Sequence, residues 1–506
     1  MTGAGGPVPT TTRTDDQEGG APLGVRRSRH SALRPVRGRW AAILSAAVVV
    51  IGAGLIDAAV PVSSAPPGPG PGDGVPVAPA DAYSSSAFCS AGTGTAANST
   101  IYLTNSTPNL VAGVMTSIGP AGSGGVVPTV HRRVAVPPFG TGAVNPSAGL
   151  PAGGNSSSFV FAGGGMAVSQ IVSGPNGWST APCASQASPR WAFAGGSTAD
   201  GNSLTLSLFN PGASEAAVNI SFLTGSGLIT PQAYQGLAVP AGQMVVENVG
   251  DFVQNAADIA TLVTAQSGDL VSTEFQQWSS GPSAGVSLRL GAPALSTVWR
   301  FAQTTITPGS RVSFYLANPT ADPIGATIGL GLSSGSVVPR HLVLGPLSIS
   351  VFTASGTAGV PQQVPFSVTI TSSAPIVAGR SVQAATGAPL PVWGSSSATA
   401  TVADRWLVPA PGVAAAPGTA NATIDSLAVA NPGPDAAEVT VSFLGGSRPT
   451  AMVMVAPGRL AVLGSRQVGG LSVLSVSSSR PVYVEEDSRP AGAPGVVSSS
   501  GFPLAG

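Results

Sequence analysis

The sequence predicts an all-β chain of tandem immunoglobulin-like β-sandwich repeats behind one N-terminal transmembrane helix, on three observations. A turn signature recurs four times, as Asn105-Ser106-Thr107-Pro108, Asn210-Pro211-Gly212, Asn318-Pro319-Thr320 and Asn431-Pro432-Gly433, with the asparagines 105, 108 and 113 residues apart. That period fits sandwich units of about 100 residues. The turns join stretches in which apolar and polar residues alternate, the pattern of half-buried strands. A single uncharged hydrophobic run, Trp40 to Ile56, precedes all four.

Composition narrows the function. The 21 basic residues are all Arg, they balance 21 acidic ones, and charged residues make up 8 % of the chain. Such a surface lacks the basic field that nucleic-acid binding requires, so no nucleic-acid partner is expected. Val, Thr, Ser and Gly are abundant and long helix formers scarce, which favours strands and turns.

Taken in order, residues 1–39 form a polar cytoplasmic tail carrying Arg26, Arg27, Arg29, Arg34, Arg37 and Arg39. Residues 40–60 are long enough to cross a bilayer as a helix once Ala58, Ala59 and Val60 extend the run past Asp57. Arginines on the N-terminal side alone place that side in the cytoplasm and the rest outside, as a single-pass membrane protein. Cleavage after Ser63-Ser64-Ala65 with secretion is the alternative, in a poor context because Pro66 follows. Residues 61–82, with Pro66-Pro67-Gly68-Pro69-Gly70-Pro71-Gly72, read as an extended tether.

Four repeats follow, at 83–188, 189–296, 297–402 and 403–506, expected as a chain of separate domains, with closure into a ring or propeller-like body as the alternative. In the second, Leu204, Leu206 and Leu208 alternate with polar residues. Asn210-Pro211-Gly212 then turns the chain, and Val218, Ile220 and Phe222 return on one face at offsets 8, 10 and 12 from the Asn. Val439, Val441 and Phe443 repeat those offsets, as do Ala326, Ile328 and Leu330. The first repeat offers only Gly113, Met115 and Ser117 and is the divergent copy. Asp251–Ala265 is the one stretch that reads as helical. The repeats close on apolar runs that lead to Gln170, Glu274, Arg380 and Glu485; because these differ in charge, the reading is a solvent-facing strand position. Tryptophans stand at the repeat boundaries, Trp191, Trp299 and Trp406 before first strands and Trp178, Trp278 and Trp393 after closing strands. They are read as wedges between neighbouring repeats. The alternative makes Trp178, Trp278 and Trp393 stacking platforms for a glycan.

Cys89 and Cys183, the two cysteines, bracket the first repeat, and outside the membrane they are expected to form a disulfide. Catalytic and metal-binding groups do not assemble. The three histidines, His30, His131 and His341, are scattered, and no phosphate loop, dinucleotide fingerprint or zinc motif is present. Gly281-Pro282-Ser283-Ala284-Gly285 matches a hydrolase elbow in letters only, since a β-like run and not a helix follows it. Glu485-Glu486-Asp487 offers carboxylates for a cation, but no recognisable calcium loop flanks it and it reads as a solvated strand end. No catalytic residue, cofactor or metal is expected.

Phe88-Cys89 at the domain start, the strand-Asn-Pro turns, the segment from Cys183 to Trp191 and the single N-terminal anchor together resemble domain-of-unknown-function family 5719, over roughly residues 85–500. The resemblance implies an actinobacterial, envelope-facing protein working beside cell-wall glycan assembly, and it lends no catalytic residue. The expected function is a non-catalytic, membrane-anchored extracytoplasmic scaffold whose partner is an envelope protein. A cell-wall polysaccharide-binding module is the alternative.

Overall fold

The computed structural model describes residues 75–504, apart from 92, 94–96, 121–125, 175–176, 279–283, 384–392, 410–421, 469–472 and 491–496. The tail 1–39, the expected span 40–60, residues 61–74 of the tether and most of the Gly281–Gly285 motif lie outside the described residues. Among the described residues no helix is long and apolar enough to cross a membrane. Contacts divide the chain into Met1–Ala65 and Pro66–Gly506, and the second unit is described below.

Alternating residues become strands in four successive blocks. The first block has eight: Ser85–Ala91, Asn98–Asn105, Val111–Ile118, Thr129–Val136, Thr141–Val144, Asn155–Phe161, Met166–Gly174 and Gly177–Pro182. They form two antiparallel sheets, in the orders first-sixth-third-fourth and fifth-second-seventh-eighth. The second block begins with Arg190–Gly196 and ends with Val271–Trp278 and Gly285–Leu290 as seventh and eighth strands. In it two short strands, Gly227–Ile229 and Leu237–Val239, take the place of the fourth. In the third and fourth blocks the sixth and seventh strands run on as one, Phe366–Gln383 and Leu474–Pro490, passing from one sheet to the other. Their first strands are Ser296–Thr304 and Ala403–Val408, their eighth Trp393–Ser397 and Val497–Ser500. This order differs from the ABED and CFG division of constant-type immunoglobulin domains. Two antiparallel sheets per block is the description that holds.

The segment 251–265, expected as helix, instead ends in the strand Ile259–Ser267, where Ile259, Thr261 and Val263 put β-branched side chains into the interior. The first block's departure from the apolar offsets also has a steric cause. A Cβ on Gly113 would meet the Phe161 ring and the Val160 carbonyl at 2.7 Å, so the returning strand is bare where the others carry Val or Ala.

The recurring asparagine is a structural staple. Asn105, Asn210, Asn318 and Asn431 are all buried at the end of, or just after, the second strand. Each Nδ2 donates to the carbonyl four residues on, at 2.7, 2.8, 2.8 and 2.7 Å. Each Oδ1 accepts from the amide two residues on, at 2.9, 2.9, 2.8 and 2.9 Å. Nδ2 also reaches across to a carbonyl of Val136, Val239, Gly345 or Val455, at the start of the next turn. An amide with both donors and its acceptor engaged can be buried without penalty, and here it ties one sheet to the turn of the other.

Trp191, Trp299 and Trp406 act within blocks, and the wedge reading is corrected for them. Each indole Nε1 donates to the carbonyl of Leu270, Ile376 or Val482, at 2.7, 2.9 and 3.1 Å. Each bond therefore links the first strand to the chain entering the seventh strand of the same block, and the ring fills that block's own core. In the first block Ala87 takes the equivalent register, opposite Phe159. There a Cys89–Cys183 disulfide spans the core, its Cα atoms 4.7 Å apart.

Neighbouring blocks meet first strand against seventh strand. Thr273 donates to the Ser90 carbonyl at 2.6 Å. Gly379 lies against the Ala194 carbonyl, where an added Cβ would come to 2.2 Å. The Gln303 amide donates to Glu485 at 3.0 Å. Thr273, Gly379 and Glu485 are equivalent positions, each paired with the residue three before its block's asparagine. The fourth seam returns to the first block: Ala167 of its seventh strand packs with Leu407 of the last block, together with Val77, Val473 and Phe502. The blocks therefore close on themselves within residues 66–506 and are not strung out as beads. Val77 forms a parallel bridge with Leu504 at this closing seam.

Candidate functional site

The eighth strands of all four blocks converge. The Leu288 amide donates to Ser179 Oγ at 2.9 Å, and the Ser287 and Ser395 hydroxyls bond at 2.7 Å. Trp393–Ser397 lies against Val497–Ser500, and Trp178 of the first block packs on Val497 of the fourth. A cleft of about 90 Å³ sits where they meet, lined by Thr180, Arg289, Ser396, Thr399 and Ser499 among others.

Beside it lies one register position from each seventh strand. Gln170, Glu274, Arg380 and Glu486 each pair with the residue four before the block's asparagine, namely Ile101, Leu206, Phe314 and Leu427. On the other side they face Ala181, Arg289, Ser396 and Ser499 of the eighth strands. None is solvent-facing, which corrects the sequence reading: Glu274 is 1 % exposed, Arg380 2 % and Glu486 2 %. Glu485 is likewise buried, so Glu485-Glu486-Asp487 is not a solvated strand end. The alternation rule fails here because the face a lone sandwich would leave wet is covered by the next block. The matching position in the fourth block is Glu486, one residue beyond Glu485, the residue to which the apolar run leads.

Each long side chain at this level has a specific environment. Glu274 accepts from Thr261 Oγ1 and from Arg289 Nη2, both at 2.6 Å, and Arg289 also donates to the Ala194 carbonyl. Burial pushes the Glu274 carboxyl up from its ordinary value while Arg289 and Thr261 pull it down. Arg380 crosses to the next block, pairing with Glu485 and donating to the Gln303 carbonyl, to Thr304 Oγ1 at 3.0 Å and to Ser396 Oγ at 2.9 Å. Gln170 donates to the Ser90 carbonyl at 3.1 Å. Glu486 accepts from Ser499 Oγ at 3.0 Å through Oε1, while its Oε2 has no partner. Burial, with the charge of Asp487 beside it, pushes its carboxyl up to about 8.

The residues singled out from sequence are placed as follows. Cys89 and Cys183 are joined. Trp178 is 6 % exposed and Trp278 1 %, so neither offers a ring face on which a sugar could stack. Trp393 pairs through its backbone with Gln383, and its side chain lies outside the described residues. His131 and His341 are far apart in the chain on separate fourth strands, each bonded to a threonine, Thr116 or Thr327, at 3.0 and 2.9 Å. Among the described residues no group of three or more His, Cys, Asp or Glu is placed to hold a metal ion. Sequence reasoning missed Arg289, and it named Glu486 only within Glu485-Glu486-Asp487, not as the counterpart of Glu274. The available signal was a pair of opposite charges, Glu274 and Arg289, separated by a strand-turn-strand distance in one repeat and replaced by Glu486 and Ser499 in another.

A family model described as a family of unknown function, DUF5719, matches residues 161–416. No curated protein matches the chain. Among solved structures, the crystal structure of Thermotoga maritima 1070 is similar at 17 % identity with a TM-score of 0.19, over 20 % of this chain and 92 % of that one. The crystal structure of a tetra-tandem repeat in the extending region of a large adhesion protein is similar at 14 % identity with a TM-score of 0.10, over 83 % of this chain and 100 % of that one.

Proposed function

The chain belongs to the DUF5719 family, a family of unknown function, and from that premise we propose that it is a non-catalytic scaffold of the bacterial cell envelope. In this reading residues 40–60 are a retained membrane anchor, the part of 61–82 that precedes the docked Val77 is a tether, and the four sandwich repeats at 83–188, 189–296, 297–402 and 403–506 form one extracytoplasmic body that positions a protein partner. One observation carries it: the polar groups most suited to chemistry are engaged in cohesion. The four asparagines, three of the tryptophans and the Arg289–Glu274 and Arg380–Glu485 pairs all hold sheets or blocks together. Exposed apolar residues such as Val160, Val343 and Met454 lie on the first sheets of the first, third and fourth blocks.

The test places a photo-crosslinking residue at Val160, Val343 or Met454, one at a time, in living cells. A scaffold yields a reproducible protein adduct from one outer sheet and not the others. Saturable binding of wall polysaccharide by the folded protein, with no adduct, moves the function to glycan recognition. Turnover of a wall fragment, lost on a single side-chain change in a folded protein, overturns the scaffold reading.

A further inference from the structure

Two equivalent carboxylates in this body are treated differently by their cross-strand partners. Glu274 faces Arg289, whose guanidinium fills the space between seventh and eighth strands and binds Oε2. Glu486 occupies the same register in the fourth block and faces Ser499. Serine ends where the guanidinium would begin. In its place is a cavity of about 10 Å³, lined by Glu486, Ser169, Thr180, Pro409, Ser499 and Ser500 together with Pro182 and Phe502. Glu486 is 2 % exposed, and its Oε2 has no hydrogen-bond partner. A volume of this size holds one water-sized species.

We propose that this cavity is a binding site for one dehydrated hard cation, sodium or calcium, which takes the role at Glu486 that Arg289 takes at Glu274. The lining supports that class: its polar side chains are one carboxylate, Glu486, and the hydroxyl residues Ser169, Thr180, Ser499 and Ser500, with no nitrogen- or sulfur-bearing side chain to favour zinc or copper. The location supports a purpose. Ser169 and Thr180 belong to the first block, Glu486 and Ser499 to the fourth, so a bound cation bridges the seam at which the blocks close. The seam between the third and fourth blocks is bridged by the Arg380 guanidinium in the same manner. Sodium then balances the buried charge of Glu486 within the site, as buried charges require, whereas calcium would leave one positive charge over among neutral hydroxyls.

The experiment is equilibrium dialysis of the purified full chain with calcium alone and with sodium alone, choline chloride holding ionic strength constant. Calcium is taken to about 10 mM, above the ~10⁻³ M dissociation constants of weak extracellular sites. One equivalent per chain is expected, from one ion or the other, and whichever binds identifies the occupant. Glu486→Gln should weaken binding at least tenfold. Ser499→Arg should abolish it and leave a protein whose melting temperature no longer responds to the ion. Should neither variant fold, hydrogen exchange on the wild-type chain decides: ion-dependent protection must appear in Leu474–Pro490 and Val497–Ser500. No binding by the wild type, binding undiminished in the folded variants, or protection confined to other strands overturns the proposal.

Discussion

Glu274 and Glu486 hold the same place in two copies of one backbone pattern and live under different electrostatics. The first is held by Arg289 and Thr261, each at 2.6 Å; the second has one serine on one oxygen and nothing on the other. The hydrogen-bonded asparagine beside each block's second strand scarcely differs between these copies. Repetition here fixes the staples that fold a block, while the charge at the shared register is set block by block, by what each must join.

The largest effect should come from breaking the satisfied member. Arg289→Met leaves Glu274 buried and uncompensated, with an expected loss of about 3–5 kcal/mol in denaturant unfolding. The double variant with Glu274→Gln should lose far less, because the penalty is that of the stranded charge. Equal losses would mean that the pair is packing alone.

The second effect belongs to Glu486 and depends on pH. In metal-free buffer its unfolded carboxyl releases a proton near 4.5, while the folded one keeps it to about 8. Between those values the unfolded state binds fewer protons, so stability falls as pH rises, by up to about 1.4 kcal/mol per unit. Asp487 is its charged neighbour, and Ser499, Ser169 and Thr180 present neutral hydroxyls. Glu486→Gln lacks this slope, and should gain on the wild type between pH 5 and pH 8 in urea melts. Parallel pH profiles would show that Glu486 keeps an ordinary carboxyl.

A smaller effect tests whether the staples are as uniform as the charges are not. Trp191→Phe and Trp406→Phe each remove one hydrogen bond to a buried carbonyl, of Leu270 (which keeps the Ser188 amide) or Val482, at a cost of about 0.5–1.5 kcal/mol. The two should match within about 0.5 kcal/mol. Smallest of all, Ser396→Ala removes one of several partners of Arg380, and about 1 kcal/mol or less is expected because Glu485, Gln303 and Thr304 remain.

Strands and turns were legible because their causes are local. Leu204, Leu206 and Leu208 alternate, and an Asn before Pro and Gly can bond its own turn, so the block could be read without its surroundings. Its dependence on neighbours could not. Glu274 follows an apolar run as a solvent-facing residue would, and only the covering of that face by another block reverses its meaning. Trp191 was placed at a boundary by its number in the chain, whereas its partner, the Leu270 carbonyl, lies 79 residues away in the same block. Asp251–Ala265 misled for a third reason. Its Asp and Ala content reads as helical, while the β-branched residues from Ile259 onward joined a sheet whose other members lie far off in sequence.

The bridge between Val77 and Leu504, with the Val77 amide donating to the Pro503 carbonyl at 3.2 Å, bears on how the body assembles. Its two halves are among the first and the last described residues to be synthesised. A chain emerging from the ribosome can fold each block as it arrives, since pairings within a block are comparatively near in sequence. The closing seam joins partners more than four hundred residues apart, and the entropy of that loop must be overcome in one late step. Until residue 504 is through, Val77 and the first block's Ala167 lack their cover. The interval before closure is therefore the time at which this seam is most open to wrong pairing.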